Sequence, residues 1–257
     1  MALPPCRRAK DRASVRGPVI EIENVSRSFH RGPNLVQALR GVNLAVSPGE
    51  FLLIKGPSGS GKTTLLNLLA GLDRPTGGAV RFEGTDLTKL GDVAMSRFRN
   101  QKVGYVFQSF YLESAQTALA NVTLPLIFSG VPRRERAARA SEMLARVGLP
   151  EKIRERAGNL SAGQKQRVAL ARAIVNRPSV ILADEPTANL DYRTGGEILD
   201  LLVSINREDR TTVLLVSHER DLAIQGARHF WLEAGELREQ DGRPRDSAEG
   251  SRSVSGG

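Results

Sequence analysis

Apolar and polar positions follow three regimes along this chain. From Val19 to Glu50, short alternating stretches (Val19-Ile20-Glu21-Ile22, Leu39 to Val46) are broken by Gly32-Pro33 and Pro48-Gly49. Period-two alternation between such turn residues predicts antiparallel strands. Phe51-Leu52-Leu53-Ile54 is apolar at every position and runs straight into a glycine-rich segment. Lys62 to Leu72 then carries leucines at helical spacing, which predicts a helix. Beyond Pro75-Thr76-Gly77-Gly78, the patterns of Ala79 to Phe82 and Val103 to Phe107 predict two further strands with a polar helix between them.

The second regime, from about Ser114 to Gly158, reads as all-helical. Arg133 to Val147 is rich in Ala, Arg and Glu, with Met143, Leu144 and Val147 on one face. From Ala162 onward, helix and strand alternate. Val180-Ile181-Leu182-Ala183 and Val213-Leu214-Leu215-Val216 are uninterrupted apolar runs of the kind buried in parallel sheets. The expected architecture is therefore an α/β core with a helical lobe inserted at about 109–159, in one globular block over 19–240. Residues 1–18 are rich in Arg, Pro and Ala, and 241–257 in Gly, Ser, Arg and Asp. Without apolar periodicity, both are expected to be disordered tails.

A chain of 257 residues is long enough for a full core, and 40% hydrophobic with 25% charged residues is ordinary for a globular protein. The net charge of +9 is less so. Arg7, Arg8, Lys10, Arg12 and Arg16 against Asp11 put part of that excess in the N-terminal tail. A basic balance suits nucleic acid or an anionic lipid surface, and equally a merely soluble basic protein. Cys6 is the only cysteine, which rules out an intrachain disulfide or a cysteine metal cluster and suits a reducing cytosol. The basic start lacks the apolar stretch of a secretory peptide. The longest apolar candidate, Thr117 to Val131, is shorter than the ~18 residues of a span and contains Pro125, so the chain is not expected to cross a membrane by itself.

Gly56-Pro57-Ser58-Gly59-Ser60-Gly61-Lys62-Thr63 matches the phosphate-binding pattern G-x-x-x-x-G-K-[ST], with a predicted strand before it and a helix after it. Glycines let successive N–H groups turn inward as an anion nest, and the following helix adds its positive end. Lys62 would reach the terminal phosphates, and the hydroxyl of Thr63 would ligate Mg²⁺; Thr64 follows on the same turn. Val180-Ile181-Leu182-Ala183-Asp184-Glu185-Pro186 places two carboxylates at the end of a buried strand, where α/β sheets bind ligands. Such acids also serve as helix caps. After a phosphate loop, they read as a Mg²⁺ ligand (Asp184) and a general base for water (Glu185). His218 ends another apolar strand beside the same edge, positioned to touch the γ-phosphate and hold Glu185 in line. Gln108 follows Val103 to Phe107; its amide can meet Mg²⁺ and the water while tethering the helical lobe.

Leu160-Ser161-Ala162-Gly163-Gln164, followed by Lys165-Gln166-Arg167-Val168-Ala169-Leu170-Ala171-Arg172-Ala173, resembles the signature motif of the ATP-binding-cassette (ABC) ATPases. The likeness runs from about Val19 to Glu239. Ala188-Asn189-Leu190-Asp191 is similar to the family's D-loop, and Phe29 occupies the place of the aromatic that stacks on adenine. Two departures stand out: Ala162 where glycine is commoner, and Ala188-Asn189 where the D-loop more often begins with Ser or Gly. The resemblance implies a P-loop NTPase (RecA-like) core with an N-terminal antiparallel β subdomain. It implies ATP and Mg²⁺, and a homodimer in which Ser161, Gly163 and Gln164 of one copy, with Asp191, close on the nucleotide of the other.

Gly71-Leu72-Asp73-Arg74-Pro75-Thr76-Gly77-Gly78 and Arg99 to Gln108 look like the subgroup serving lipoprotein release and macrolide efflux. Tyr111-Leu112-Glu113-Ser114 departs from that subgroup. The subgroup implies an ATPase at the cytoplasmic face of the inner (plasma) membrane, peripheral, driving a separate or fused integral membrane permease. No nucleic acid partner is expected, because DNA-associated members carry long coiled coils or paired cassettes. Two other readings use the same motor: a non-transporting regulator of an envelope partner, and a DNA-associated ATPase.

Overall fold

The computed structural model describes residues 17–32 and 34–240. Apart from Gly17 and Pro18, the two expected tails lie outside the described residues, and so does Cys6. The alternating N-terminal region forms β1 (Ile20–Arg31) and β2 (Asn34–Val46), paired antiparallel from Ile20↔Val46 to Arg31↔Asn34. These strands are longer than the apolar stretches that announce them, and register shifts between Ile22 and Ser28 absorb the irregular pattern as bulges. With β4 (Gly77–Phe82) and β5 (Thr85–Asp86) they build a four-stranded sheet in the order β2-β1-β4-β5.

The second sheet has the order β10-β9-β3-β8-β7-β6. Its members are β3 (Phe51–Lys55), β6 (Val103–Val106), β7 (Val180–Asp184), β8 (Thr212–Ser217), β9 (Arg228–Glu233) and β10 (Glu236–Gln240). All neighbours run parallel except the β9–β10 hairpin. The wholly apolar runs are explained by what covers the two faces. Leu52, Ile54, Val180, Leu182, Leu214 and Val216 face the small sheet, α1 (Lys62–Leu69) and α2 (Asp92–Lys102). Phe51, Leu53, Ile181, Ala183, Val213 and Leu215 face the helices α3 (Ala118–Phe128), α4 (Arg133–Arg146), α5 (Ala162–Ile174) and α6 (Tyr192–Asp209). Alternate residues thus enter alternate cores, so neither face tolerates a polar position. Each fully buried Leu or Val contributes about 1.5–3 kcal/mol.

The polar helix between Phe82 and Val103 is α2, anchored by Phe98 packing edge-on against Phe82 at 4.9 Å. Helix α1 stops at Leu69, three residues short of the apolar pattern. Gly71 takes a left-handed φ of 63° just beyond it, and Leu72 is exposed. The inserted lobe comprises α3 and α4, followed by single 3₁₀ turns at Pro150–Lys152 and Ala157–Asn159. Among the described residues, no helix is long and apolar enough to cross a membrane.

Candidate active site

The carboxyl ends of β3, β7 and β8 meet at one edge of the large sheet, and the chemistry-bearing residues gather there. From Lys55 the chain passes through Gly56–Gly61 into the first turn of α1. Close packing dictates the glycines: a Cβ on Gly56 would lie 2.0 Å from the Leu232 carbonyl oxygen, and one on Gly61 2.4 Å from that of Ala38. Gly61 also has φ 108°, a backbone shape that other residues rarely take. Pro57, Ser58 and Gly59 are exposed. Ser60 is buried, and its Oγ has no hydrogen-bond partner among the described residues.

Lys62 is buried and curls back over the loop. Its Nζ donates to the carbonyls of Gly56 (2.9 Å) and Pro57 (3.0 Å) and lies 3.6 Å from Glu185 Oε1. Thr63 Oγ1 donates to Asp184 Oδ1 at 3.2 Å, while Thr64 is half-buried on the same turn. Asp184 closes β7. Burial pushes its carboxyl above the usual range, and the charge of Glu185 adds to the rise. A hydrogen bond from Thr63, the charge of Lys62 and the neighbouring Tyr105 hydroxyl only partly oppose this. Burial likewise raises the Tyr105 phenol, reinforced by the Asp184 charge. Glu185 sits at φ 45°, and its second oxygen, Oε2, lies 2.9 Å from His218 Nδ1.

A buried lysine curled onto its own loop, an unpartnered serine hydroxyl and an under-neutralised carboxylate fit a polyphosphate with a divalent cation. Lys62 and the loop N–H groups would hold the phosphates; Thr63 and Asp184 would hold Mg²⁺.

The other expected residues lie apart from this cluster. Gln108 is exposed just past β6. Its carbonyl accepts from Asn189 Nδ2 at 2.9 Å, and among the described residues its side chain makes no hydrogen bond to Thr63, Asp184 or Glu185. Phe29 on β1 is 39% exposed, with the Arg27 guanidinium 4.4 Å above its ring. Ser161 caps α5: its Oγ accepts from Gln164 N at 3.3 Å, and Gln164 Oε1 accepts from Ser161 N at 3.1 Å. Gln164 is therefore engaged as the far half of a capping box. Ala162 is exposed and Gly163 is buried. Asp191 caps α6 by accepting from Thr194 N at 3.0 Å; hydrogen bonds from Thr194 hold its carboxyl below the usual range. No hydrogen bond or ion pair joins Ser161–Gln164 to Gly56–Thr63 of the same chain among the described residues.

Three side chains at this edge were not singled out from sequence. Tyr105 donates to Asn67 at 3.2 Å beside Asp184. Thr194 packs on Gly163. Gln166 is fully buried between β6 and the acid pair. A signal for Gln166 was present: it falls at i, i+4 and i+7 with Leu170 and Ala173, a lone amide on the apolar face of α5.

Comparison with known proteins decides the family. A family model described as ABC transporter matches residues 39–188. The chain belongs to the ABC transporter family. A Thermotoga maritima protein named "Uncharacterized ABC transporter ATP-binding protein" is 48% identical, covering 81% of this chain and 88% of its own. The Geobacter metallireducens "Lipoprotein-releasing system ATP-binding protein LolD" is 44% identical over 85% of this chain and 97% of its own. Among solved structures, the cassette MJ0796 as a post-hydrolysis dimer with ADP and Pi aligns with a TM-score of 0.80 at 42% identity, covering 87% of this chain and 99% of that one. This ABC protein is accordingly an ATP-binding subunit whose enzymatic activity is ATP hydrolysis.

Proposed function

We propose that this ABC ATPase works as a homodimer that closes on two MgATP molecules and drives an integral membrane permease from the cytoplasmic face of the membrane. The observation that carries this reading is the separation of its two halves. The phosphate loop, Asp184, Glu185 and His218 form one contact chain at the sheet edge, whereas Ser161 and Gly163 stand on α5 without a hydrogen bond or ion pair to that loop among the described residues. A second copy supplying its α5 turn completes each site. The solved dimers of MJ0796 support the same assembly.

Within each site, Phe29 stacks on the adenine, which contributes ~1–3 kcal/mol. Backbone N–H groups of Gly56–Gly61 and the Lys62 ammonium bind the β- and γ-phosphates. Thr63 and Asp184, with Gln108 drawn in from its exposed position, would hold Mg²⁺, which would supply positive charge for the phosphoryl oxygens. Glu185 accepts a proton from the water whose oxygen bonds to the γ-phosphorus as the β–γ bridging bond breaks, releasing ADP and phosphate. His218 orients that carboxylate and contacts the γ-phosphate. Ser161 and Gly163 of the other copy cover the phosphate until hydrolysis loosens the clamp.

The permease side of the reading rests on an open cleft of about 600 Å³ lined by Arg99, Asn100, Phe107, Tyr111, Phe128 and Arg172. Tyr111 is 68% and Phe128 79% exposed, apolar surface that a partner would cover. The name of the LolD relative supports an envelope system of the lipoprotein-release type. Affinity purification of a tagged chain from detergent-extracted membranes tests this directly. Recovery of a multi-span protein that stimulates ATP hydrolysis is expected. Recovery of the ATPase alone, together with tight DNA binding at physiological salt, would favour the DNA-associated reading instead.

A further inference from the structure

Gln166 lies five residues beyond the α5 cap Ser161 and is wholly buried. Its Nε2 donates to the Pro186 carbonyl at 2.8 Å and to the Phe107 carbonyl at 3.4 Å. Pro186 directly follows Glu185, and Phe107 directly precedes Gln108. Both neighbours are acceptors, which fixes the NH₂ end toward them. Oε1 accepts no hydrogen bond among the described residues. A methionine would fill the same space but would leave the buried Pro186 carbonyl without its donor, so the amide is held here by its two acceptors and not by packing alone. The amide joins three segments: the end of β6, the strand-to-helix turn after β7, and α5. Asn189 adds a tie in parallel through the Gln108 carbonyl.

We infer that Gln166 is a positioning residue that couples the two nucleotide sites of the dimer. It links Gln108 and Glu185, which serve the nucleotide of their own chain, to the Ser161–Gly163 turn, which covers the nucleotide of the partner. The inference rests on the dimeric clamp proposed above. About one and a half helical turns, rising about 1.5 Å per residue, separate Gln166 from Ser161, and the reciprocal cap stiffens the first of them. Displacing Gln166 therefore displaces the lid. The 2.8 Å bond holds α5 to the acid pair, while the longer 3.4 Å bond has room to shorten when Gln108 draws toward a bound nucleotide.

The test compares the unaltered chain with Gln166→Met, which keeps volume and removes both donors. In the unaltered chain, hydrolysis should rise with ATP at a Hill coefficient approaching about 2, the number of sites. In Gln166→Met the coefficient should fall to about 1, with kcat reduced by roughly 2- to 30-fold. ATP affinity at low protein concentration should stay within about twofold, because the phosphate loop is untouched. Unchanged cooperativity and kcat, or a loss of thermal stability alone, would overturn the role. A Glu185→Gln chain that forms no ATP-dependent dimer would instead remove the clamp, and the inference with it. Should Gln166→Met not fold, hydrogen exchange on Ser161→Arg, a lid variant that blocks closure, replaces it. ATP should then alter exchange at residues 160–166 of the chain that binds it; unaltered exchange there refutes the coupling.

Discussion

Glu185 is gripped at both carboxylate oxygens, by His218 Nδ1 at 2.9 Å and Lys62 Nζ at 3.6 Å. Its backbone stands at φ 45°, a conformation that costs a non-glycine residue of order 1–3 kcal/mol, and its N–H is held by the Val216 carbonyl. A strained backbone fixed from three elements keeps one carboxylate in one place. Glu185→Gln preserves shape and cannot accept a proton. Steady-state phosphate release should fall by about 10²–10⁴-fold, while ATP accumulates a dimer on size-exclusion chromatography. Undiminished hydrolysis would remove Glu185 from the role of base.

Lys62 is the one ammonium buried in the phosphate loop, bonded to the carbonyls of Gly56 and Pro57. Lys62→Ala should lose ~3–4 kcal/mol of phosphate stabilisation, the typical cost of one preorganised donor. Titration calorimetry reads the effect as a collapse of ATP affinity. Affinity equal to that of the unaltered chain would contradict the assignment.

Asp184 carries the opposite signature, a carboxyl raised by burial. Because its folded pKa exceeds the unfolded one, the folded chain binds more protons between those two values. Stability from this group is thus fully present below the ordinary carboxylate range and is lost as pH rises through the raised value. Above that raised value the ionised group burdens the nucleotide-free fold. Asp184→Asn keeps an acceptor for Thr63 and removes the charge. It should raise the melting temperature without nucleotide by about 2–4 °C per kcal/mol gained, and it should abolish Mg²⁺-dependent hydrolysis. A lower melting temperature would show that Asp184 stabilises the fold as a charge.

Gly163 offers a test of local fit. A Cβ there would lie 2.4 Å from Thr194 Cγ2. Helix propensity favours alanine by about 1 kcal/mol, yet overpacking costs ~1–3 kcal/mol. Gly163→Ala should therefore lower thermal stability, and adding Thr194→Ser should restore it. Failure of the double substitution to recover would place the conflict elsewhere.

The phosphate loop, the acid pair and His218 were legible in the sequence because each depends on a short run of residues at a strand end. Fully apolar strands likewise announced a sheet covered on both faces. Strands β9 and β10 were not legible: Arg228-His229-Phe230-Trp231-Leu232-Glu233 holds only a three-residue apolar run between polar ends, and Glu236-Leu237-Arg238-Glu239-Gln240 has one apolar residue, as befits the edge strand of the sheet. Gln164 and Asp191 expose another limit. Capping a helix and contacting a ligand call for the same side-chain oxygens at the same helix end, and only coordinates reveal the partners already engaged. Gln166 was hidden because its partners are backbone carbonyls distant in the chain.

The seat of the phosphate loop is wedged between the two sheets: Gly56 abuts the Leu232 carbonyl of β9, Gly61 abuts that of Ala38 on β2, and the Gly235 N–H reaches the Ser60 carbonyl at 3.3 Å. The hairpin that sequence reading overlooked is thus a wall of the nucleotide cradle. Shortening the chain into β9 would be felt first as a failure to hold triphosphate, though none of the residues removed need ever meet it.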